Sequence, residues 1–468
     1  MRERRLLLLV LGAAIVAGLA LRAWMLSNSL GALDADEAVW GLMARHVLDG
    51  ELSTFYWGQP YGGTLEVFLT APVFAVFGSS TLALKLVPVA LFAVAAVLVW
   101  RVGRRTVGEP AASVAAVLFW IWPSYAVWKS MRAHGYYGSA LVLALLTLLL
   151  VLRLRDQPSR RDAAALGLVL GLGWWQTPQF ALVAVPAVLW LVVVRRHSLA
   201  RFWPVLPAAV LGALPWLVAN LRHDWYSFDY APGGGTYFSR FRGFFTATLP
   251  MALDLRVPFA LDWALGAIVG GLLLLVVLGW VAFLALRRRD RLGPLVAVAL
   301  AFPFLYAASS FTWLVEEPRY LVLLTPVLAL LVAEGLSRPP VAAVALAAAF
   351  ALSLTSLVRT EGSFRYETRT GHVDVPDDLA PLLDALDARG ARTVRADYWV
   401  AERITFESGE QIVANSHRYP KFTARVAASK SPAHVFVAGT AGERRARPRL
   451  LAGGYDRAVI GGFAFYSR

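Results

Sequence analysis

Long apolar runs recur from Leu6 to Val358, and nearly every connection between them carries either Arg or clustered aromatic residues. The runs fall at about 6–26, 81–100, 110–128, 138–152, 162–175, 178–194, 203–220, 263–286, 293–311, 320–335 and 341–358. A helix of roughly 20 apolar residues crosses a bilayer, so this spacing predicts an all-α polytopic membrane domain of about eleven transmembrane helices. Composition agrees, with 58% hydrophobic and 16% charged residues where a soluble chain carries about 45–50% and about 25%. A set of ordinary soluble domains is excluded. The chain has no Cys, which removes disulfides, thiolate metal sites and Cys nucleophiles.

A formal net charge of +14 invites a nucleic-acid reading, but only if the basic residues share one face. They instead mark alternate connections: Arg101/Arg104/Arg105, Arg153/Arg155/Arg160/Arg161, Arg195/Arg196/Arg201 and Arg287/Arg288/Arg289/Arg291. Positive charge beside spans marks the cytoplasmic side. The N-terminus, with Arg2, Arg4 and Arg5, is therefore expected inside, and its first run is read as a retained anchor rather than a cleaved signal. An odd span count places the C-terminus outside. The remaining connections, 27–80, 129–137, 221–262 and 312–319, face the cell exterior and are net acidic. No nucleic-acid partner is expected.

After Val358 the composition turns mixed, which divides the chain at 1–358 and 359–468. Asp377–Arg389 reads as an amphipathic helix, and Thr393–Trp399, Gln411–Asn415, His434–Ala438 and Arg457–Tyr466 read as strands. Their alternation with helix-like stretches predicts a small extracytoplasmic α/β domain.

The first outer loop holds the densest chemistry. Asp34-Ala35-Asp36-Glu37 opens a helix expected over about 36–49 and ended by Gly50. Three carboxylates at a helix N-terminus have a plain explanation, a side chain capping free N–H groups. They also suit a general base or a divalent-cation site of Asp34 with Asp36, and spacing alone leaves these open. Phe55-Tyr56-Trp57-Gly58-Gln59-Pro60-Tyr61-Gly62-Gly63 follows, an aromatic and amide stretch suited to sugars or to the membrane interface. Glu66 precedes the apolar stretch Val67–Phe77, where a carboxylate costs about 2.5–3.5 kcal/mol on insertion scales, which marks it as a functional candidate. Two further outer segments supply cations: Lys129-Ser130-Met131-Arg132-Ala133-His134, and Glu316-Glu317-Pro318-Arg319-Tyr320. Arg132 and Arg319 suit a lipid-linked phosphate, or simply phospholipid headgroups. The segment 224–245, with Gly233-Gly234-Gly235, is either a cover over the site or a passive connector.

These residues together resemble the GT-C-type membrane glycosyltransferases. The resemblance rests on Asp36-Glu37-Ala38 after the first span, the Gly58-Gln59-Pro60-Tyr61-Gly62-Gly63 stretch, Phe77-Gly78-Ser79-Ser80, and Arg319-Tyr320 before a span with Pro326. Within that superfamily the chain is similar to the branch of protein O-mannosyltransferases and aminoarabinose transferases, over residues 1–358. The stretch from Ala396-Asp397-Tyr398-Trp399 to Phe406-Glu407-Ser408 resembles an outer domain of some bacterial members. The resemblance implies a hexosyl- or pentosyltransferase of the cytoplasmic membrane, fed by a polyprenyl-phosphate sugar, with a glycan, lipid or protein as acceptor. It makes Asp36, with Glu37, the catalytic pair and Asp36 the base. Gln59, Tyr61, Glu66, Arg132, His134, Arg319 and Tyr320 become the donor-binding set. Some relatives carry a Lys where Gln59 stands, and some use a divalent ion, Mg or Mn, here assigned to Asp34 and Asp36. The alternative functions are a transporter or flippase of lipid-linked sugars and a non-catalytic assembly protein. A transporter would place ionisable groups within spans, and here they cluster on one outer face.

Overall fold

A computed structural model describes residues 2–230, 233–312, 314–315, 317–368 and 371–468. The chain begins with α1 (Arg2–Leu26), and α2 (Ala35–Leu48) and α3 (Leu65–Phe77) follow in the first loop. Gly78, at φ 77°, ends α3, and the Ser80 side chain then caps α4 (Thr81–Thr106) by accepting from Ala83 N at 3.2 Å. The run near 110–128 breaks at Pro123 into α5 (Ala111–Ile121) and α6 (Ser124–Lys129). α7 (Tyr137–Asp156), α8 (Arg160–Gln176) and α9 (Ala181–Val194) complete the first half, and α10 (Ala267–Arg287), α11 (Arg289–Ala308) and α12 (Pro339–Ser363) dominate the second.

Among the described residues six helices are long and apolar enough to cross a membrane, or up to eight if two bent pairs each count as one span. The expected eleven runs therefore do not all become full spans. The run at 203–220 breaks at Ala213 with a 60° bend, and the run at 320–335 is α-helical only over Thr325–Ala333, after a 3-10 turn at Pro318–Leu321. Ile268, Leu272, Leu275 and Val276 of α10 are exposed, as a lipid-facing helix requires.

The C-terminal part builds a five-stranded sheet in the order β4-β3-β5-β7-β6, with β3 (Thr393–Arg395), β4 (Val413–Ala414) and β5 (Ala433–Val437) parallel. β6 (Asp456–Ile460) and β7 (Phe463–Ser467) form a hairpin, so the expected strand over 457–466 is split at Gly461-Gly462. A separate two-stranded ribbon, β1 (Tyr366–Thr368) and β2 (Gly371–Val373), precedes it. Helices α13 (Ala380–Ala388), α14 (Tyr398–Glu407), α15 (Pro420–Ala428) and α16 (Ala441–Ala452) cover the sheet. The expected strand over 393–399 stops at Arg395 because Asp397 caps α14, its carboxylate accepting from Trp399 N.

This sheet domain and the first loop share one core. Trp40, Met43 and Phe74 bury against Phe406, Val413 and Phe422. α14 crosses α2 closely because Gly41 has no side chain; a Cβ there would stand 2.3 Å from Phe406. Trp57 stacks on Tyr419 at 4.1 Å, and Arg45 donates to Phe406 O at 2.7 Å. The C-terminal domain thus lies on the same side as the first loop, whatever the span count.

Candidate active site

The carboxylates at the start of α2 divide in two. Asp34 is the N-cap, its Oδ1 accepting from Glu37 N at 2.8 Å, and its Oδ2 takes Arg132 and His134. Glu37 is fully buried; Lys85 Nζ donates to its two oxygens at 2.9 and 3.0 Å and Ala133 N to Oε1 at 2.9 Å. Arg132 Nε lies 3.4 Å from Glu37 and its Nη1 donates to Ala32 O at 2.8 Å. Two carboxylates and two cations are thereby paired out of solvent, an arrangement that ties α2, α4 and the segment after α6 together.

This corrects three sequence expectations. Glu37 has no open path to a substrate, so it positions α2 rather than acting beside Asp36. Arg132 is likewise buried and spent on the chain itself, not on a phosphate. Glu66 is buried with Oε1 accepting from Ser139 N at 2.7 Å and Ser139 Oγ at 2.9 Å, so it caps the start of α7. Asp34 is turned to Arg132 and His134, whereas Asp36 takes the Tyr398 hydroxyl. The residues brought together as ligand-like donors are Asp34, Glu37 and His134. They do not fit a divalent ion, because the Arg132 guanidinium already bridges the two carboxylates.

Asp36 instead faces a cavity of about 150 Å³, where Gln59, Tyr61, Lys129, His134, Arg319 and Arg418 also appear. A second chamber of about 560 Å³ shares Gln59, Tyr61, Arg319 and Arg418 and adds Tyr320, Tyr230, Gly233 and Gly234. The segment 224–245 therefore contributes to the wall; residues 231–232 and Glu316 lie outside the described residues. The first-loop stretch reaches this wall by folding back on itself, with Phe55 bridged to Gly63. Gly62, at φ 81°, makes that turn, and a Cβ on it would stand 2.7 Å from Tyr136.

The cations come from three places. Arg319 is one-third exposed and is held from behind by Glu317, which accepts from Arg319 Nε at 2.8 Å and from Tyr125. Lys129 Nζ is 2.6 Å from His134 Nδ1 and 5.0 Å from the centre of the Tyr137 ring. Burial lowers the Lys129 ammonium to about 8, against the opposing pull of Glu317. Arg418 comes from the C-terminal domain. Its guanidinium lies between the rings of Tyr56 and Tyr398, 4.0 Å from Asp36 Oδ1, and its buried Nε has no hydrogen-bond partner among the described residues. Tyr398 of α14 donates its hydroxyl to Asp36 Oδ1.

The loop that presents Arg418 is tied to α14 through Ser416, whose hydroxyl donates to Glu402 at 2.5 Å and accepts from Arg418 N and Tyr419 N. Sequence reasoning misses Arg418 and Tyr398, and it names Lys129 as a cation without placing it in the donor-binding set. Tyr398 stood within the quoted outer-domain stretch without a role, and nothing in the surroundings of Arg418 set it apart from the many other Arg residues.

The cavity sits at one end of the bundle. α7 runs from Tyr137 on its wall to Asp156, which pairs with Arg105 at 2.6 Å, and Arg155 reaches the backbone of Arg291. Twenty residues of helix separate the two ends by about 30 Å. The site and the Arg-rich connections are thus at opposite ends.

Residues 65–221 match the family described as dolichyl-phosphate-mannose-protein mannosyltransferase. A comparison with curated protein sequences finds no match. Among solved structures, ArnT from Cupriavidus metallidurans bound to undecaprenyl phosphate is similar at 13% identity and a TM-score of 0.65, over 98% of this chain and 97% of that one. Its apo form gives 14% and 0.64 over 100% and 98%. The Archaeoglobus fulgidus oligosaccharyltransferase in complex with Zn and sulfate gives 13% and 0.55, over 98% of this chain and 73% of that one. The matched length takes in the long apolar helices and the small C-terminal sheet domain alike, so the chain has the ArnT-like GT-C fold, and its several apolar helices make it a multi-pass membrane protein.

Proposed function

We propose that the chain is a membrane glycosyltransferase that moves a sugar from a polyprenyl-phosphate donor to an acceptor hydroxyl outside the cytoplasmic membrane. The observation that carries this reading is a carboxylate, Asp36, sharing a small cavity with Lys129, Arg319 and Arg418 at the end of the bundle away from the Arg-rich connections. The match of residues 65–221 to a lipid-phosphate-sugar transferase family, and the fold shared with an ArnT bound to undecaprenyl phosphate, support the donor class. The Arg clusters support a cytoplasmic N-terminus and an outer site.

In this mechanism Asp36 accepts the proton of the acceptor hydroxyl as that oxygen attacks the anomeric carbon. The bond from that carbon to the phosphate oxygen breaks and its electron pair leaves with the lipid phosphate, inverting the centre. Arg319 and Lys129 neutralise the charge developing on the phosphate, in a site where few waters compete. Tyr398 holds Asp36 in one orientation, and Tyr61 and Gln59 offer a ring face and an amide to the sugar.

Mass spectrometry of polyprenyl-phosphate sugars in a deletion strain tests the reading. Accumulation of one lipid-linked sugar, reversed by the intact gene, is the expected result and identifies the sugar. An unchanged lipid-sugar profile sinks it.

A further inference from the structure

The C-terminal domain holds a cavity of its own, about 610 Å³, away from Asp36. It lies between α15 and α16 over β3 and β5, and its origin can be followed strand by strand. Val394 and Val435 point into the domain core, so their neighbours Arg395, His434 and Phe436 face the other way. Arg395 and His434 are register partners on adjacent parallel strands. Arg449 of α16 reaches the same space.

Such a surface is unusual. Parallel strands are normally covered on both faces by apolar side chains, whereas here an arginine and an imidazole stand side by side. Burial, Arg395 and Arg449 together push the His434 imidazole down to about 4, so the crowding is electrostatic as well as steric. The one carboxylate on the wall, Asp397, is used as the cap of α14. No carboxylate pairs with Arg395 or Arg449 among the described residues. The rest of the lining is largely apolar, with Val400, Val426 and Phe436.

The position is also where open α/β sheets bind ligands. From β3 the chain crosses to β4 on one side and returns to β5 on the other, which leaves a crevice at the carboxyl ends of these strands. Asp397 after β3, Asn415 after β4 and Thr440 after β5 all border it.

We propose that this groove binds a small amphipathic organic anion, a phosphate or carboxylate gripped by Arg395 and Arg449 with an apolar body against Phe436 and the valines. The volume is that of a small-molecule site. This inference does not depend on the transferase reading, since it concerns binding alone.

The test uses the full chain in nanodiscs with 4-fluorophenyl phosphate as the probe, followed by fluorine NMR line broadening. Saturable binding is expected, at least tenfold weaker in R395Q/R449Q and at least tenfold tighter than binding of 4-fluorophenol. Inorganic phosphate is expected to compete only weakly. Both arginines are exposed, and the single variant R449Q serves if the double variant unfolds. Binding that survives these substitutions overturns the proposal. So does binding that is lost instead in R319Q, because the probe would then occupy the Asp36 cavity. Equal affinity for 4-fluorophenol would remove the anion from the assignment and overturn it as well.

Discussion

Asp36 and Glu37 are neighbours in the chain, yet they lead opposite lives. Glu37 lies inside the protein with two cations for company, and Asp36 keeps a carboxylate 36% exposed towards a cavity. Successive helix residues point about 100° apart, so one turn of α2 can send one carboxylate inward and the other out. The buried one has its charge cancelled by Lys85 and Arg132, which cost the site nothing because neither cation is needed in the cavity. The open one takes, among the described residues, one tyrosine hydroxyl, and faces cations that are themselves only partly committed. The contrast separates a charge that builds the site from a charge that is free to do chemistry.

Changing each in turn breaks the comparison most sharply. Asp36→Asn is expected to lower sugar transfer by about 10²–10⁴-fold, the usual contribution of a general base, with insertion and thermal unfolding unchanged. Transfer that survives intact would remove Asp36 as the base. Glu37→Ala is expected to do the reverse at the level of stability. It strands Lys85 in the interior, leaves Arg132 with Asp34 as its carboxylate, and should cost about 3–5 kcal/mol, read as a lowered midpoint of thermal unfolding in nanodiscs. Normal unfolding of that variant would show that the buried cluster is not holding α2.

The cations sharpen the picture further. Arg418→Gln is expected to lower kcat/KM by about tenfold to a hundredfold, the worth of a hydrogen bond to a charged group, while Arg425→Gln on an outer turn of α15 leaves it unchanged. Equal kinetics for both would mean that the C-terminal domain adds no charge to the reaction. Lys129 gives a pH test. Its cationic form is the one that opposes a phosphate, and burial sets its loss near 8, so the rate should fall as pH rises through about 8. Lys129→Arg should move that limb to higher pH; a limb that stays in place excludes Lys129 as its origin.

The smallest effect concerns the seam between the two regions. His46 of α2 meets Glu410 at 3.2 Å and Glu51 at 3.0 Å, and hydrogen bonding first to Glu410 and then to Glu51 raises its affinity for a proton. A raised value means that the protonated histidine favours the docked state. That stabilisation is complete below about pH 6.5, the unfolded value, and is lost as pH rises through the raised one. Proteolysis at the seam should therefore increase with pH in the intact chain and become flat in His46→Gln. A slope unchanged by the substitution would place the titration elsewhere.

The recurring apolar runs, the separation of the Arg-rich connections from the acidic first loop and the helix over 35–48 were legible because each follows from local rules: run length, charge beside a run, and a cap followed by a glycine stop. Asp36, Gln59, Tyr61, His134, Arg319 and Tyr320 were also found in the sequence, and all line the paired cavities. Glu66 and Arg132 were misread for one reason. A charged group near membrane depth is costly whether it serves a ligand or a helix end, and only its partners tell which. Here Ser139 and Asp34 are those partners. The eleven expected spans became fewer full-length helices because Pro123 and the bend at Ala213 interrupt runs that hydropathy alone counts as continuous.

By itself the sequence determined that this protein lies in a membrane, which end of each span is basic, and that acidic and aromatic residues gather beyond the opposite ends. Those properties are summed along the chain, and each residue contributes without regard to distant ones. The tertiary structure decided which carboxylate is open, and that Tyr398 holds it and Arg418 joins the cavity wall from more than three hundred and sixty positions away. The physical reason is that a charge is defined by what surrounds it. Burial and pairing are set by the packing of α14 on α2, and no local pattern in the chain encodes that contact.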